Sequence, residues 1–279
     1  MQHVTILTLD DSCAPRAQVL ACRDALVAAG AHVQTVAAQD DAGIDAALAG
    51  LPEARLIVAA AADGQVRAVV RRLVRRDAPQ PHARPAGLPA DRTVPDLPPL
   101  GVLPLGPAGD GLVARLGLPD TPAAVADAVL AGHTRRLDLL RTDGGSVTLH
   151  GALLGVADAP FAARIEVDDA VLADGSEPLV AALVANAGGY ATLDGLPLAV
   201  SADPQDGVLD VAVALPVLTR WRRLRVEVRR ARGRAVVVVP GAEVRFTDDG
   251  VAGTLAHKRT WWMERAAWGV YAPVNRVRG

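Results

Sequence analysis

The feature that most constrains this chain is a junction. The run "RLIVAA" (55 to 60) has the length and apolar character of a buried β-strand, and it leads through Asp63-Gly64 into "QVRAVVRRLVRR". There Val66, Val69, Val70, Leu73 and Val74 recur at helical spacing, while Arg67, Arg71 and Arg75 fall on the opposite face. A wholly apolar strand running into an amphipathic helix belongs in a sheet that helices cover, and such sheets are mostly parallel. The same alternation recurs upstream and downstream. "VTILTL" (4 to 9) reads as a strand, followed by a helix from about Pro15 with Val19, Cys22, Leu26 and Ala29 on one face and Gly30 as its stop. "HVQTV" reads as a second strand and is followed by an Ala-rich helix to about Gly50. "GVLPL" reads as a strand, and "TPAAVADAVLAG" as a helix with Thr121 as N-cap, Pro122 at the first position and Gly132 at the end.

From about His133 the pattern changes. A hairpin is expected about Asp143-Gly144-Gly145, and "ARIEV", "PLVAALVAN", "VLDVAVAL", "LRVEV", "RAVVVV" and "EVRFT" read as strands separated by turn residues. The expected fold is therefore α/β plus all-β: a Rossmann-like α/β domain over 1–132, then a β-sandwich over 133–279, with the active site in an interdomain cleft. Between the strand at 55–60 and the one after it lies "DAPQPHARPAGLPADRTVPDLPP" (77 to 99), too rich in Pro for a helix or central strand, so a long surface loop or flap is expected.

Composition removes several functions. The formal net charge of -2 disfavours a general nucleic-acid binder. All but one of the 29 basic side chains are Arg, the exception being Lys258, so neither a Walker A Gly-Lys-Ser/Thr nor the strand Lys of a protein kinase is present. Cys13 and Cys22 cannot make a disulfide scaffold, and the six His lack HExxH spacing. No serine sits in a GxSxG elbow. The start "MQHVTILTLDD" lacks a basic region ahead of an apolar stretch and no apolar run reaches bilayer length, so a cytoplasmic protein is expected, with peripheral contact at the inner membrane face as the variant. The run "TRWRRLRVEVRRARGR" reads as a solvated strand face or as a surface for anionic headgroups, and "TWWMERAAW" as core packing or an apolar lipid cleft.

An α/β sheet binds ligands beyond the C-terminal ends of its strands, where helix N-termini offer N–H groups to anions. Two junctions qualify, "AAAADGQV" and "VLPLGPAGDGLVARLGLP"; each is by itself more often an ordinary turn than a phosphate site. In order along the chain they are more telling. "AADGQ" (61 to 65), "PLGPAGD" (104 to 110), "LGLP" (116 to 119), "AVLAGHTRRLDLL", "LVANAGGYATLDGLPLAVSADPQDGVLDVAV" and "FTDDGVAGTL" together resemble the diacylglycerol kinase and sphingosine kinase-like lipid kinases, within the superfamily that includes the NAD kinases.

That resemblance implies an ATP- and Mg2+-dependent kinase of a lipid hydroxyl, such as that of diacylglycerol, with a homodimer among the expected assemblies. It implies Asp249 as general base toward the lipid hydroxyl, and Asp63, Gly64, Gln65, Gly106 and Asp110 about the nucleotide phosphates. Asp206, with Gly207, stands in a loop that holds a structural Mg2+ in some relatives. The motifs are degenerate. Ala61 and Ala62 replace two glycines, at about 1 kcal/mol each if the backbone there needs positive φ. Gln65 and Pro107 stand for Thr, Gly109 for Asn and Val251 for Glu, and the opening Asn-Pro is missing. Each lost charge-assisted hydrogen bond is worth roughly 1.5 to 3 kcal/mol. The alternative reading is a pseudokinase that binds lipid, nucleotide or a protein partner without phosphoryl transfer.

Overall fold

The computed structural model describes residues 2–9, 17–50, 54–81, 84–106, 111–155, 159–193, 196–199, 202–218 and 224–273. They form two compact units that interleave along the sequence: one from Met1–Asp77, Asp96–Leu137 and Ala267–Gly279, the other from Ala78–Pro95 and Asp138–Ala266.

The first unit alternates β1 (His3–Thr8), α1 (Ala17–Ala28), β2 (His32–Ala37), α2 (Asp41–Ala49), β3 (Arg55–Ala60), α3 (Asp63–Asp77), β4 (Leu100–Pro104), α4 (Leu112–Arg115) and α5 (Pro122–Ala131). Its strands lie parallel in the order β2-β1-β3-β4, with Ile6 beside Ile57 and Ile57 beside Gly101. Strands β3 and β4 are apolar on both faces because both faces are covered, as the unbroken apolar runs predict. Helix α3 buries Val66, Val69, Val70, Leu73 and Val74, and its arginines turn toward α2: Arg71 pairs with Asp41 at 2.6 Å and Arg72 with Asp45. Helix α5 is capped as expected, Ala124 N donating to Thr121 Oγ1 and Gly132 ending it at φ +73°. Helix α1 buries Val19, Cys22 and Leu26, while Ala29, expected on the same face, is exposed beyond the helix end.

The chain continues with β5 (Thr134–Thr142), β6 (Val147–Thr148), β7 (Gly151–Leu154), β8 (Ala163–Val167), β9 (Ala170–Asp174), β10 (Ala181–Ala185), β11 (Thr192–Leu193), β12 (Leu196–Pro197), β13 (Leu209–Leu218), β14 (Leu224–Gly233), β15 (Ala235–Pro240), β16 (Val244–Asp248), β17 (Val251–Leu255) and β18 (Arg259–Tyr271). The second unit is a sandwich of two antiparallel layers, β14-β13-β10-β7-β16-β17 and β18-β15-β8-β9, whose inward residues, among them Leu154, Val184, Val211, Ile165, Val236 and Trp261, form one core. Strand β18 contributes to both units: its first half pairs antiparallel with β15, while Val270 pairs parallel with Leu100 of the first sheet. The tryptophan-rich segment read as packing is this strand, with Trp261 and Trp268 fully buried.

The Pro-rich segment is without helix or strand, as expected, and most of its described residues are exposed or half-buried, but it is pinned at points that its composition does not mark. Ala78 and Val94 are buried in the second unit, and the carboxylate of fully buried Glu264 explains why. It accepts from Thr93 N at 2.7 Å, Val94 N at 3.1 Å, Trp262 Nε1 at 2.8 Å and the Thr93 hydroxyl. Arg141, also buried, donates to Thr93 Oγ1 at 2.8 Å and to the Ala78 carbonyl, and burial pulls its guanidinium below the ordinary Arg range while the Glu264 charge opposes this. A segment without helix or strand is held because side chains satisfy its backbone groups. Replacing Glu264 by Ala strands those donors together with a buried cation, so the Glu264→Ala variant is expected to lose about 3 to 5 kcal/mol of unfolding free energy, read from urea midpoints, with Glu264→Gln losing less.

Candidate functional site

Strands β3 and β4 are neighbours and parallel, so their C-terminal ends open at the same edge and the two junctions meet there. They line one cavity of about 610 Å3 in the first unit, with Ala61, Ala62 and Asp63 on one side and Gly106 and Gly111 on the other. Of the residues expected about phosphates, Asp63 and Gly106 line it; Gly64 and Gln65 lie in the first turn of α3 behind the rim, and Asp110, with Pro107 and Gly109, lies outside the described residues. Val66, Val102, Val113 and Leu118 make the wall apolar.

Two polar side chains at these junctions have internal tasks. Asp63 accepts from Leu112 N through both carboxylate oxygens at 3.0 Å and so caps α4; a Cβ at position 111 would lie 3.1 Å from its Oδ1, which is why Gly stands there. Gln65 accepts from Ala61 N at 2.6 Å and donates to Leu9 O at 2.9 Å, joining the end of β3 to the end of β1. A Thr could not span that distance, so the substitution is a structural tie. Ala61 and Ala62 are not among the residues with positive φ, so the strain expected from replacing glycine there is absent.

The cavity suits a nucleoside better than a phosphate chain. Its wall carries Asp63 and Asp120 and, among the described residues, no basic side chain. No group of three or more His, Cys, Asp or Glu among the described residues is placed to hold a metal.

Asp249 belongs to the second unit. Asp249 and Gly250, at φ +49° and +79°, form the two-residue turn between β16 and β17, the type I′ arrangement that Asp-Gly favours. The Asp249 side chain points inward: it accepts from Leu149 N at 2.7 Å, His150 N at 2.8 Å and Gly151 N at 3.2 Å, and the residue is 2% exposed. Tyr190, His150 and Asn186 pack nearby. Tyr190 stacks edge-on to His150, with ring centroids 4.9 Å apart, and its hydroxyl accepts from Gly250 N at 3.2 Å. His150 Nε2 lies 3.1 Å from Gly188 O, and Asn186 Nδ2 donates to Asp138 O and Leu149 O. Sequence reasoning singled out none of His150, Asn186 and Tyr190, although Asn186 and Tyr190 lie inside the quoted "LVANAGGY".

Asp206 sits at the β12–β13 connection, its carboxylate accepting from Val208 N and paired with Arg232. Arg232 also pairs with Asp210 at 3.2 Å, and Gly207 N donates to Asp138. An Mg2+ there would compete with a guanidinium already in place, so this donor set does not fit the ion as it stands. Two other arginines of β14 are also engaged: Arg229 by Glu177, Arg230 by the Leu198 and Pro197 carbonyls.

Residues 13–142 match the family model of the diacylglycerol kinase catalytic domain. Over those residues the chain is similar to a diacylglycerol kinase catalytic domain. In fold, this diacylglycerol kinase-like chain is similar to a diacylglycerol kinase from Bacillus anthracis str. Sterne, with TM-score 0.69 at 16% identity, covering 99% of this chain and 98% of that one. It is also similar to an NAD kinase from Archaeoglobus fulgidus in complex with ATP, with TM-score 0.59 at 14% identity, covering 99% and 96%. A comparison with curated proteins returns no match. Both likenesses concern the fold, an NAD kinase-like arrangement of one parallel-sheet unit and one antiparallel unit, as the resemblance implied. Among the described residues no helix is long and apolar enough to cross a membrane.

The carboxylates near Asp206 give this diacylglycerol kinase-like fold a pH signature. Burial, reinforced by the Asp206 charge, holds Asp138 above the ordinary carboxylate range despite its two backbone N–H bonds. Burial does the same to Asp210, the Arg232 partner offsetting part of it. A carboxyl raised on folding binds its proton more readily folded than unfolded. Its contribution to stability is therefore complete below the unfolded value of about 4 and is lost as pH rises through the folded value. Asp210→Asn should accordingly flatten the fall in urea midpoint that the wild type shows from about pH 4 upward.

Proposed function

We propose that this diacylglycerol kinase-like chain binds a nucleotide with its N-terminal domain, residues 1–132, and transfers phosphate slowly to a lipid hydroxyl held by residues 133–279, diacylglycerol being the model acceptor. The observation that carries this reading is the shared cavity: the two segments that resemble the family's phosphate loops, far apart in sequence, line one space large enough for a nucleoside. In this reading the apolar wall takes the base, and the phosphates lie across the two junctions, met by backbone N–H groups at the start of α3, while Ala61 N is engaged by Gln65. Asp249 removes the proton from the attacking hydroxyl. Magnesium is the metal that the family would bring; no step here is routed through it. The lipid acceptor implies peripheral contact with a membrane from the cytoplasmic side.

Slow transfer follows from chemistry. With no basic side chain on the described wall, phosphate binding falls to N–H groups alone, and each missing charge-assisted bond weakens affinity by roughly tenfold or more. A base must also reach its proton, and the Asp249 oxygens are engaged by three consecutive backbone N–H groups. That engagement favours a second reading, a pseudokinase that keeps the fold and binds nucleotide or lipid without transfer.

Phosphate transfer from labelled ATP to diacylglycerol in mixed micelles separates the two, with nucleotide binding measured in parallel. The first reading expects measurable turnover that Asp249→Asn lowers by about 10^2 to 10^4, in a variant whose melting temperature shows that it still folds. ATP binding with no turnover above background selects the pseudokinase. Failure to bind ATP at millimolar concentration removes the nucleotide from both.

A further inference from the structure

On the sheet face of the first unit, away from the β3 and β4 junctions, a second pocket of about 410 Å3 is lined by His3, Thr5, His32, Gln34 and Val36 from β1 and β2 and by Ala46 of α2, among others. His3 and His32 are direct partners in the parallel register, so their side chains rise from the same face. Their ring centroids lie 5.1 Å apart with the planes inclined at 50°. Both residues are exposed, and neither ring has a hydrogen-bond partner among the described residues.

Neighbouring strands lie about 4.8 Å apart, so the separation of the two rings follows from their pairing. It is also close to the roughly 5 Å between the centroids of two imidazoles bound to one tetrahedral ion at about 2.0 to 2.1 Å. A stacked pair would lie closer to parallel, and a hydrogen-bonded pair would share a proton along the line between nitrogens. We propose that His3 and His32 form a two-histidine site for a borderline divalent transition ion of the Zn2+, Ni2+ or Cu2+ class. The neutral imidazoles supply the nitrogens, and water fills the remaining positions with the Gln34 amide within the same pocket. Oxygen-preferring Mg2+ and Ca2+ are not bound there. No carboxylate or carbonyl fixes either ring, so the ion exchanges readily.

The physical effect is on the sheet. Among the described residues strand β2 is an edge strand, hydrogen-bonded to β1, and its outer residues are exposed. An ion bridging His3 and His32 ties that edge to the interior strand at their first paired residues, and a ligand that binds the folded form alone raises its stability by mass action. The inference is independent of the lipid kinase reading.

The test uses the full chain freed of any purification tag, titrated with ZnCl2 by calorimetry and followed by thermal unfolding. The expected result is one saturable Zn2+ per chain with a rise in melting temperature, and no response to MgCl2. His3→Ala and His32→Ala should each weaken binding by about tenfold or more and abolish the thermal shift, whereas His257→Ala, a histidine elsewhere on the surface, leaves both unchanged. Absence of saturable binding overturns the proposal. So does binding that survives in His32→Ala, which places the ion on His3 without its cross-strand partner.

Discussion

The adjacency of β3 and β4 is the constraint on which the rest depends. Two parallel strands buried on both faces must release the chain at the same sheet edge, and each release must be followed by backbone that covers the strands again. The two junctions therefore become walls of one space whatever residues occupy them. The fold creates the cavity, and the residues decide what it holds. Here those residues have been turned toward the fold itself: Asp63 caps a helix, Gln65 joins two strand ends, and valines and a leucine form the wall.

Much of the first unit was legible because its signals are local. The valine spacing of α3, the Thr-Pro start and Gly stop of α5 and the apolar run of β3 each specify an element within a dozen residues, and each element stands where its pattern placed it. What escaped depends on partners distant in sequence. Composition around 77–99 says only that Pro excludes helix, whereas the anchoring of Thr93 and Val94 comes from Glu264, well over a hundred residues away. In the same way "TWWMERAAW" shows aromatic bulk, but only the pairing of Val270 with Leu100 shows that the strand ends in the first sheet.

The functional residues divide along the same line. Asp249-Gly250 was visible as a motif and is also a hairpin turn of a type that favours that dipeptide, so the sequence cannot separate a base from a turn. The inward rotation of its carboxylate onto the amides of 149 to 151 is a tertiary fact. So is the pairing of Asp206 with Arg232, which puts a fixed cation where the resemblance implied a metal.

Strand β18 carries a consequence for how the molecule is made. The parallel sheet begun at residue 3 acquires its pairing to Leu100 from Val270, close to the last residue described. On a ribosome delivering the chain from its N-terminus, β4 waits with an open edge through the synthesis of the entire antiparallel unit. The contact that closes the first sheet is thus among the most non-local in the molecule, and non-local pairings form slowly. Until it forms, β4 offers unpaired backbone to any passing strand, which makes the nascent first unit the part of this protein most in need of protection from aggregation.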